Sequence, residues 1–178
     1  MQKLIILDRD GVINQDSDNF IKSEEEWIPL PGSLEAIAKL NHAGYIVTVA
    51  TNQSGLARGL FDVETLNAMH QKMRTLLARF GGQVDGIFFC PHGPDDNCEC
   101  RKPKPGMYKE ISERFGIPLK DVPVIGDSGR DLEAAIAVGA KPILVRTGKG
   151  ERTLASDEKW HQLPVYDNLA AAVDALID

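Results

Sequence analysis

Leu4-Ile5-Ile6-Leu7-Asp8-Arg9-Asp10-Gly11-Val12 decides how the chain is read. An unbroken apolar run suits a strand buried on both faces of a parallel sheet, and this one stops at two carboxylates two positions apart. On extended backbone that spacing lets both side chains leave on the same side. Similar runs recur at Tyr45 to Ala50, Gly86 to Cys90, Val122 to Ile125 and Ile143 to Val145. Amphipathic stretches lie between them. Leu34, Ile37, Ala38 and Leu40 recur at helical spacing before Gly44, and Asp62 is placed to N-cap a longer helix. The apolar stripe of that helix is Val63, Leu66, Met69, Met73, Leu76, Leu77 and Phe80. Its methionines read as core filler. Met107 to Phe115, entered through Pro105, Asp131 to Val138 and Asn168 to Ile177 are the remaining helices. The alternation predicts an α/β fold: a three-layer α/β/α, Rossmann-like parallel sheet.

The chain of 178 residues suits one domain, so 1–178 is expected to fold as a single unit. Hydrophobic residues at 43% and charged residues at 26% are ordinary for a soluble globular protein. A formal net charge of −6 argues against a nucleic-acid partner, which calls for a basic surface, yet leaves room for a small cationic site. No apolar stretch approaches the roughly 20 residues of a membrane-spanning helix, and the N-terminal run ends at Asp8, unlike a signal peptide. No membrane partner is expected, and the three cysteines, an odd number, fit a reducing cytoplasmic location. A monomer is expected.

Ligands of open parallel sheets bind beyond the carboxyl ends of the strands. The first strand runs into Asp8 and Asp10, the second into Thr51-Asn52-Gln53-Ser54, the fourth into Gly126-Asp127. A lone aspartate at such a place is usually a turn former or helix cap; three at neighbouring strand ends are harder to explain that way. Close carboxylates repel unless a cation or shared proton intervenes, and Mg2+ is the hard, oxygen-seeking cation that also takes phosphate. With phosphate bound, one carboxylate can attack to give an aspartyl-phosphate. The other can protonate the leaving alcohol and then take a proton from water. Thr51 and Lys102 are placed to hold phosphoryl oxygens.

Asp8-Arg9-Asp10-Gly11-Val12, Thr51-Asn52-Gln53, Lys102 and Gly126-Asp127 followed by Asp131 together resemble the motifs of the haloacid dehalogenase superfamily of phosphatases. The resemblance runs from about Leu4 to Gly150. It implies a haloacid dehalogenase-like fold, and no segment between the motifs is long enough for a large cap domain. It also implies Asp8 as nucleophile, Asp10 as general acid/base, and Mg2+ held by Asp8, Asp127 and the backbone carbonyl of Asp10. Thr51 and Lys102 become the phosphoryl stabilisers and Arg101 a substrate-recognition residue. Within the superfamily the motifs are most similar to the heptose bisphosphate phosphatase family, which implies a small phosphorylated sugar as substrate. Asp16, Ser17, Asp18 and Asn19, and Thr51, Asn52, Gln53 and Ser54, then match sugar-contacting positions. Without the resemblance, Asp16 to Asn19 reads as a solvated loop. The histidinol-phosphate phosphatase family is the runner-up; Thr51 to Gly59 and Lys102 to Met107 favour the former. Ser128 stands where many members carry Lys, with Arg130 or Lys102 as candidates to compensate, and Val12 replaces the usual Thr. A non-catalytic binding module is the reading of another class; it would be expected to lack a nucleophile, acid/base or metal ligand, and none is missing.

Cys90, His92, Cys98 and Cys100 form a second constellation within eleven positions. Three thiols and an imidazole match a closed tetrahedral Zn2+ site; a lone buried cysteine would need no such reading. The loop from Pro91 to Glu99 is rich in Pro, Gly, Asp and Asn, so metal binding is expected to order it and to aim Arg101 and Lys102. The zinc loop is thus expected at 90–100. His42, His70 and His161 are given no role. Thr147-Gly148-Lys149-Gly150 lacks the full phosphate-loop pattern and reads as a loop after the last core strand.

Overall fold

The computed structural model describes residues 2–178. β1 (Lys3–Leu7) lies inside a six-stranded sheet, with β2 (Tyr45–Asn52) on one side and β4 (Pro123–Gly126) on the other. β3 (Gly86–Cys90) lies outside β2; β5 (Lys141–Val145) and β6 (Val165–Tyr166) lie outside β4. Every neighbouring pair is parallel. The chain builds outward from β1 through β2 to β3, then returns to lay β4 on the opposite flank. Where the winding reverses, between β1 and β4, a crevice opens at the carboxyl ends of the strands. Leu7 sits level with Val49 and Ile125, so the residues that follow β1 and β4 emerge together.

Helices cover both faces: α1 (Ser33–His42), α2 (Val63–Arg79), α3 (Gly106–Phe115), α4 (Gly129–Ala137), α5 (Gly150–Ser156) and α6 (Leu169–Ile177). β1 shows why its sequence is apolar throughout. Ile5 and Leu7 join one core with Ile37, Leu40, Met69, Met73 and Val173, while Leu4 and Ile6 join the other with Met107, Tyr108, Ile111 and Ala134. Each buried side chain of this kind contributes about 1.5–3 kcal/mol, which fixes the strand that carries Asp8. The predicted three-layer architecture is observed, and no inserted domain lies between Asp10 and Thr51 or between Thr51 and Lys102. Among the described residues, no helix is long and apolar enough to cross a membrane.

Three differences from the sequence reading have local causes. β2 extends to Asn52, because Thr51 and Asn52 pair with Phe89 and Cys90 instead of entering a loop. α4 begins at Gly129, two residues early, because Ser128 caps it in a reciprocal box with Asp131. α5, the following 3-10 turn (Glu158–Gln162) and β6 were not expected. Each is short, and together they enclose a satellite core of Leu132, Leu144 and Trp160.

Candidate active site

Asp8, Asp127 and Asp131 each bring a carboxylate oxygen within 4.8 Å of the others, at the crevice between β1 and β4. Asp8 follows β1, and its N–H donates to the carbonyl of Ile125 at 3.0 Å. Asp127 follows β4; its carbonyl accepts from the Thr153 hydroxyl at 2.7 Å, and its Oδ2 accepts from the backbone N–H of Lys149 at 2.8 Å. Gly11 (φ +87°) and Gly148 (φ +58°) press on the same carboxylate. A Cβ on either would collide with Asp127 Oδ2. The segment from Thr147 to Gly150 is therefore a wall of the site, with Thr147 also donating its hydroxyl to the Gly11 carbonyl at 2.6 Å.

Burial, then the charge of Asp131, pushes the Asp8 carboxyl well above its usual range and the Asp127 carboxyl up to about 7. A divalent cation reverses that cost, and an all-oxygen donor set beside a cleft with room for a phosphorylated ligand fits Mg2+. The cleft has a volume of about 300 Å³.

Lys102 is buried beside these carboxylates. Its ammonium reaches Asp131 at 2.6 Å, the Ala50 carbonyl at 2.8 Å and Asp8 at 3.2 Å. Burial works against the charge, but Asp131 and Asp8 outweigh it and raise the Lys102 pKa. Asn52 grips the Lys102 backbone both ways, accepting from its N–H at 3.0 Å and donating to its carbonyl at 3.2 Å. The Thr51 hydroxyl accepts from Gln53 Nε2 at 2.9 Å. Thr51, Asn52 and Ser54 line the cleft; Gln53 supports it from behind.

Asp10 also lines the cleft but lies outside the acidic cluster, its carboxylate accepting from Arg9 Nε at 2.8 Å and from Asn14 Nδ2 at 2.9 Å. Burial alone would raise its pKa; the Arg9 guanidinium and the bonds from Arg9, Asn14 and Gln53 outweigh burial and lower it. Arg9 has no exposed surface.

Around the rim, Asp16 pairs with Lys149 at 2.9 Å, and Ser17 and Asp18 also line the cleft. Asn19 is exposed and outside the lining, its N–H donating to the Ser17 hydroxyl at 3.0 Å. Arg58, Arg101 and Arg130 converge on the rim. Burial, and then the charges of Arg130 and Arg58, lower the Arg101 pKa, so the three cations feel one another. Arg58 and Lys149 fall within Thr51 to Gly59 and Thr147 to Gly150, yet nothing in either stretch singles them out as site residues.

Cys90, His92, Cys98 and Cys100 meet in one cluster. Cys90 Sγ is 3.6 Å from both His92 Nδ1 and Cys98 Sγ, and Cys100 Sγ is 3.5 Å from His92 Nδ1. Zinc–sulfur arms of ≈2.3 Å imply tetrahedral edges of roughly 3.8 Å, close to these three; Cys90 and Cys100 are nearer, at 2.6 Å. The donor set fits Zn2+, and Arg101 Nη1 donates to the carbonyl of His92 at 3.3 Å.

A family model for HAD-hydrolase-like proteins matches residues 99–172. The chain is 59% identical to the D-glycero-beta-D-manno-heptose-1,7-bisphosphate 7-phosphatase of Bordetella bronchiseptica over 175 residues, 98% of each. It is 58% identical to the Pseudomonas putida protein of that name, over 98% of this chain and 99% of the relative. The crystal structure of the B. bronchiseptica D,D-heptose 1,7-bisphosphate phosphatase, complexed with magnesium and phosphate, superposes with a TM-score of 0.96, covering 98% of each chain. On this likeness, which covers 98% of the chain, the chain belongs to the D-glycero-beta-D-manno-heptose-1,7-bisphosphate 7-phosphatase family of haloacid dehalogenase-like hydrolases.

Proposed function

We propose that the chain is a Mg2+-dependent phosphatase that removes the 7-phosphate of D-glycero-β-D-manno-heptose 1,7-bisphosphate through an aspartyl-phosphate on Asp8. The observation that carries this reading is the pairing of half-buried Asp8 with buried Asp127 at the crevice, with Lys102 and Thr51 beside it. Asp8, Asp127 and the carbonyl of Asp10 are the proposed Mg2+ ligands; when bound, the ion neutralises phosphoryl oxygens. Lys102 is charged and already touches Asp8, so it lies where negative charge must be held.

Asp8 attacks phosphorus, and the bond to the sugar oxygen breaks as Asp10 delivers a proton to that oxygen. In the second half, Asp10 takes a proton from the water that attacks phosphorus, and the bond to Asp8 breaks. The lowered pKa of Asp10 keeps its carboxylate ionised, the form that accepts this proton. In the acid step the phosphoryl charge nearby raises that pKa again.

Arg58, Arg101 and Arg130 on the rim suit a substrate with a second phosphate. They disfavour histidinol phosphate, whose remaining groups are cationic. Asp16 to Asp18, Asn52 and Ser54 are the proposed sugar contacts, with Asn19 at the margin. We assign Zn2+ to Cys90, His92, Cys98 and Cys100, a cytoplasmic monomer, and a role in making the heptose precursor of lipopolysaccharide. Comparing kcat/KM for the heptose bisphosphate and histidinol phosphate tests the substrate: at least about 100-fold preference for the former is expected, and preference for the latter overturns it. Arg101→Ala should raise KM about 10- to 100-fold, as loss of a charge-assisted bond does.

A further inference from the structure

Arg9 carries a charge into the core with few partners. Its side chain has no exposed surface; Nε reaches Asp10 Oδ1 at 2.8 Å, Nη1 reaches His70 Nε2 at 3.2 Å and Met69 Sδ at 3.8 Å. Nη2 has no hydrogen-bond partner among the described residues. A buried guanidinium is costly unless its partners are well placed, so the two strong acceptors, Asp10 and His70, decide where it lies. We propose that His70, on α2, is a positioning residue for Asp10, acting through Arg9. The inference rests on the reading of Asp10 as general acid/base and adds a residue to it.

A guanidinium only donates, so the imidazole must accept at Nε2 and carry its proton on Nδ1. The surroundings agree: burial, then the charges of Arg9 and Arg74, hold His70 neutral, with its pKa lowered to about 3. The ring is also held from β3, tilted 51° to Phe89 at 6.5 Å between centroids. Arg9 and Asn14 both bond Asp10 Oδ1, which fixes the rotamer of the carboxylate. Without the acceptor on α2, Nη1 loses its strongest partner, and the guanidinium can turn away from Asp10. Proton transfer depends steeply on such placement. A glutamine at position 70 keeps an acceptor at similar reach; a leucine does not.

The test uses leaving groups of different need. His70→Leu should slow single-turnover phosphorylation of the enzyme by an alkyl phosphate, such as the heptose bisphosphate, roughly 10- to 100-fold with KM within about twofold. Phosphorylation by p-nitrophenyl phosphate, whose leaving group needs no proton, should change less than about threefold. His70→Gln should recover most of the alkyl-phosphate rate. Equal loss on both substrates, or an unchanged rate on both, overturns the proposal. If His70→Leu does not fold, 15N chemical shifts of the His70 ring in the wild type decide: an unprotonated Nε2 is required, and a proton found there overturns it. Asp10→Asn must show the same dependence on leaving group. If it does not, the role of Asp10 fails, independently of any result at His70.

Discussion

The catalytic crevice and the Cys90–Cys100 loop each gather several reactive side chains, on opposite kinds of backbone. In the crevice, Asp8 and Asp127 follow strands whose neighbours are paired residue by residue and whose side chains fill two cores. The sheet holds together carboxylates that repel, and burial leaves two of them with raised pKa values. In the loop, only Cys90 belongs to a strand; Cys98 and Cys100 lie on irregular, partly exposed chain. What the loop supplies for itself is slight, chiefly the Gly93 N–H bonded to Asp96 Oδ2 at 2.6 Å and a turn between Gly93 and Asp96. A sheet can preorganise an unfavourable cluster, whereas a loop of this kind needs its cluster bridged. The two regions meet at Arg101 and Lys102, which leave the loop and enter the crevice.

Asp8→Asn breaks the chemistry of the first region without touching its frame. Activity should fall by at least about 10⁴-fold, since the neutral amide at position 8 cannot attack phosphorus as a carboxylate does. Thermal stability should hold or rise, because a buried repulsion with Asp131 is relieved. Equal rates in the two proteins would remove Asp8 as nucleophile. Gly148→Ala breaks the frame while removing no catalytic side chain. Its Cβ must displace Asp127 or Gly11, and φ is +58° there. A loss of about 100-fold or more in kcat is expected, with a smaller loss in Mg2+ affinity; wild-type kinetics would show that Gly148 does not hold Asp127.

Cys98→Ala tests the other half of the comparison. With one ligand of the assigned Zn2+ site removed, the loop should lose order, and stability and activity should fall together. A zinc-free Cys98→Ala protein with full activity would show that Lys102 keeps its place unaided. Lys102 has a second anchor, the bidentate grip of Asn52 on its backbone. A residual activity of about 1–10% is therefore expected, the double variant with Asn52→Ala lower still.

How far these regions can be read from sequence follows the same divide. The crevice announces itself: three aspartates gather at the ends of neighbouring apolar runs, and Asp8, Thr51, Lys102 and Asp127 do meet around one cleft. The cysteines are legible from spacing, and their side chains do cluster. Less legible is what holds those residues from behind. Lys149 bonds Asp127 through its backbone N–H, which no residue identity encodes. Asp131 reads as part of a motif, yet its carboxylate anchors Lys102 and caps α4 through Ser128, two tasks that appear only in three dimensions. His70 lies sixty-one positions from Arg9 on a helix whose apolar stripe gives no hint of it. β6 pairs only two residues and depends on β5 for its existence, so no periodicity could reveal it.

The smallest effect, and the one that separates the regions most cleanly, is the coupling of Mg2+ to pH. Without a cation, Asp127 in the folded protein titrates at about 7, against 3.8 for the ordinary carboxyl, chiefly because it is buried. Between those values the folded state holds the proton more tightly than the unfolded state. Stability of the cation-free protein therefore declines as pH rises from about 4 to about 7, by at most ~1.4 kcal/mol per unit for this group. A cation that binds the ionised carboxylate opposes that decline, so the stabilisation it provides grows over the same window. Protein dialysed free of magnesium but retaining bound zinc should thus gain only slightly in Tm from millimolar Mg2+ at pH 5 and by several degrees at pH 8. Asp127→Asn should flatten both the decline and the gain, whereas Cys98→Ala should lower Tm at every pH and leave their slope alone. A Mg2+ gain independent of pH in the wild type would mean that Asp127 is already ionised before the cation arrives. The preorganised repulsion assigned to the crevice would then be wrong.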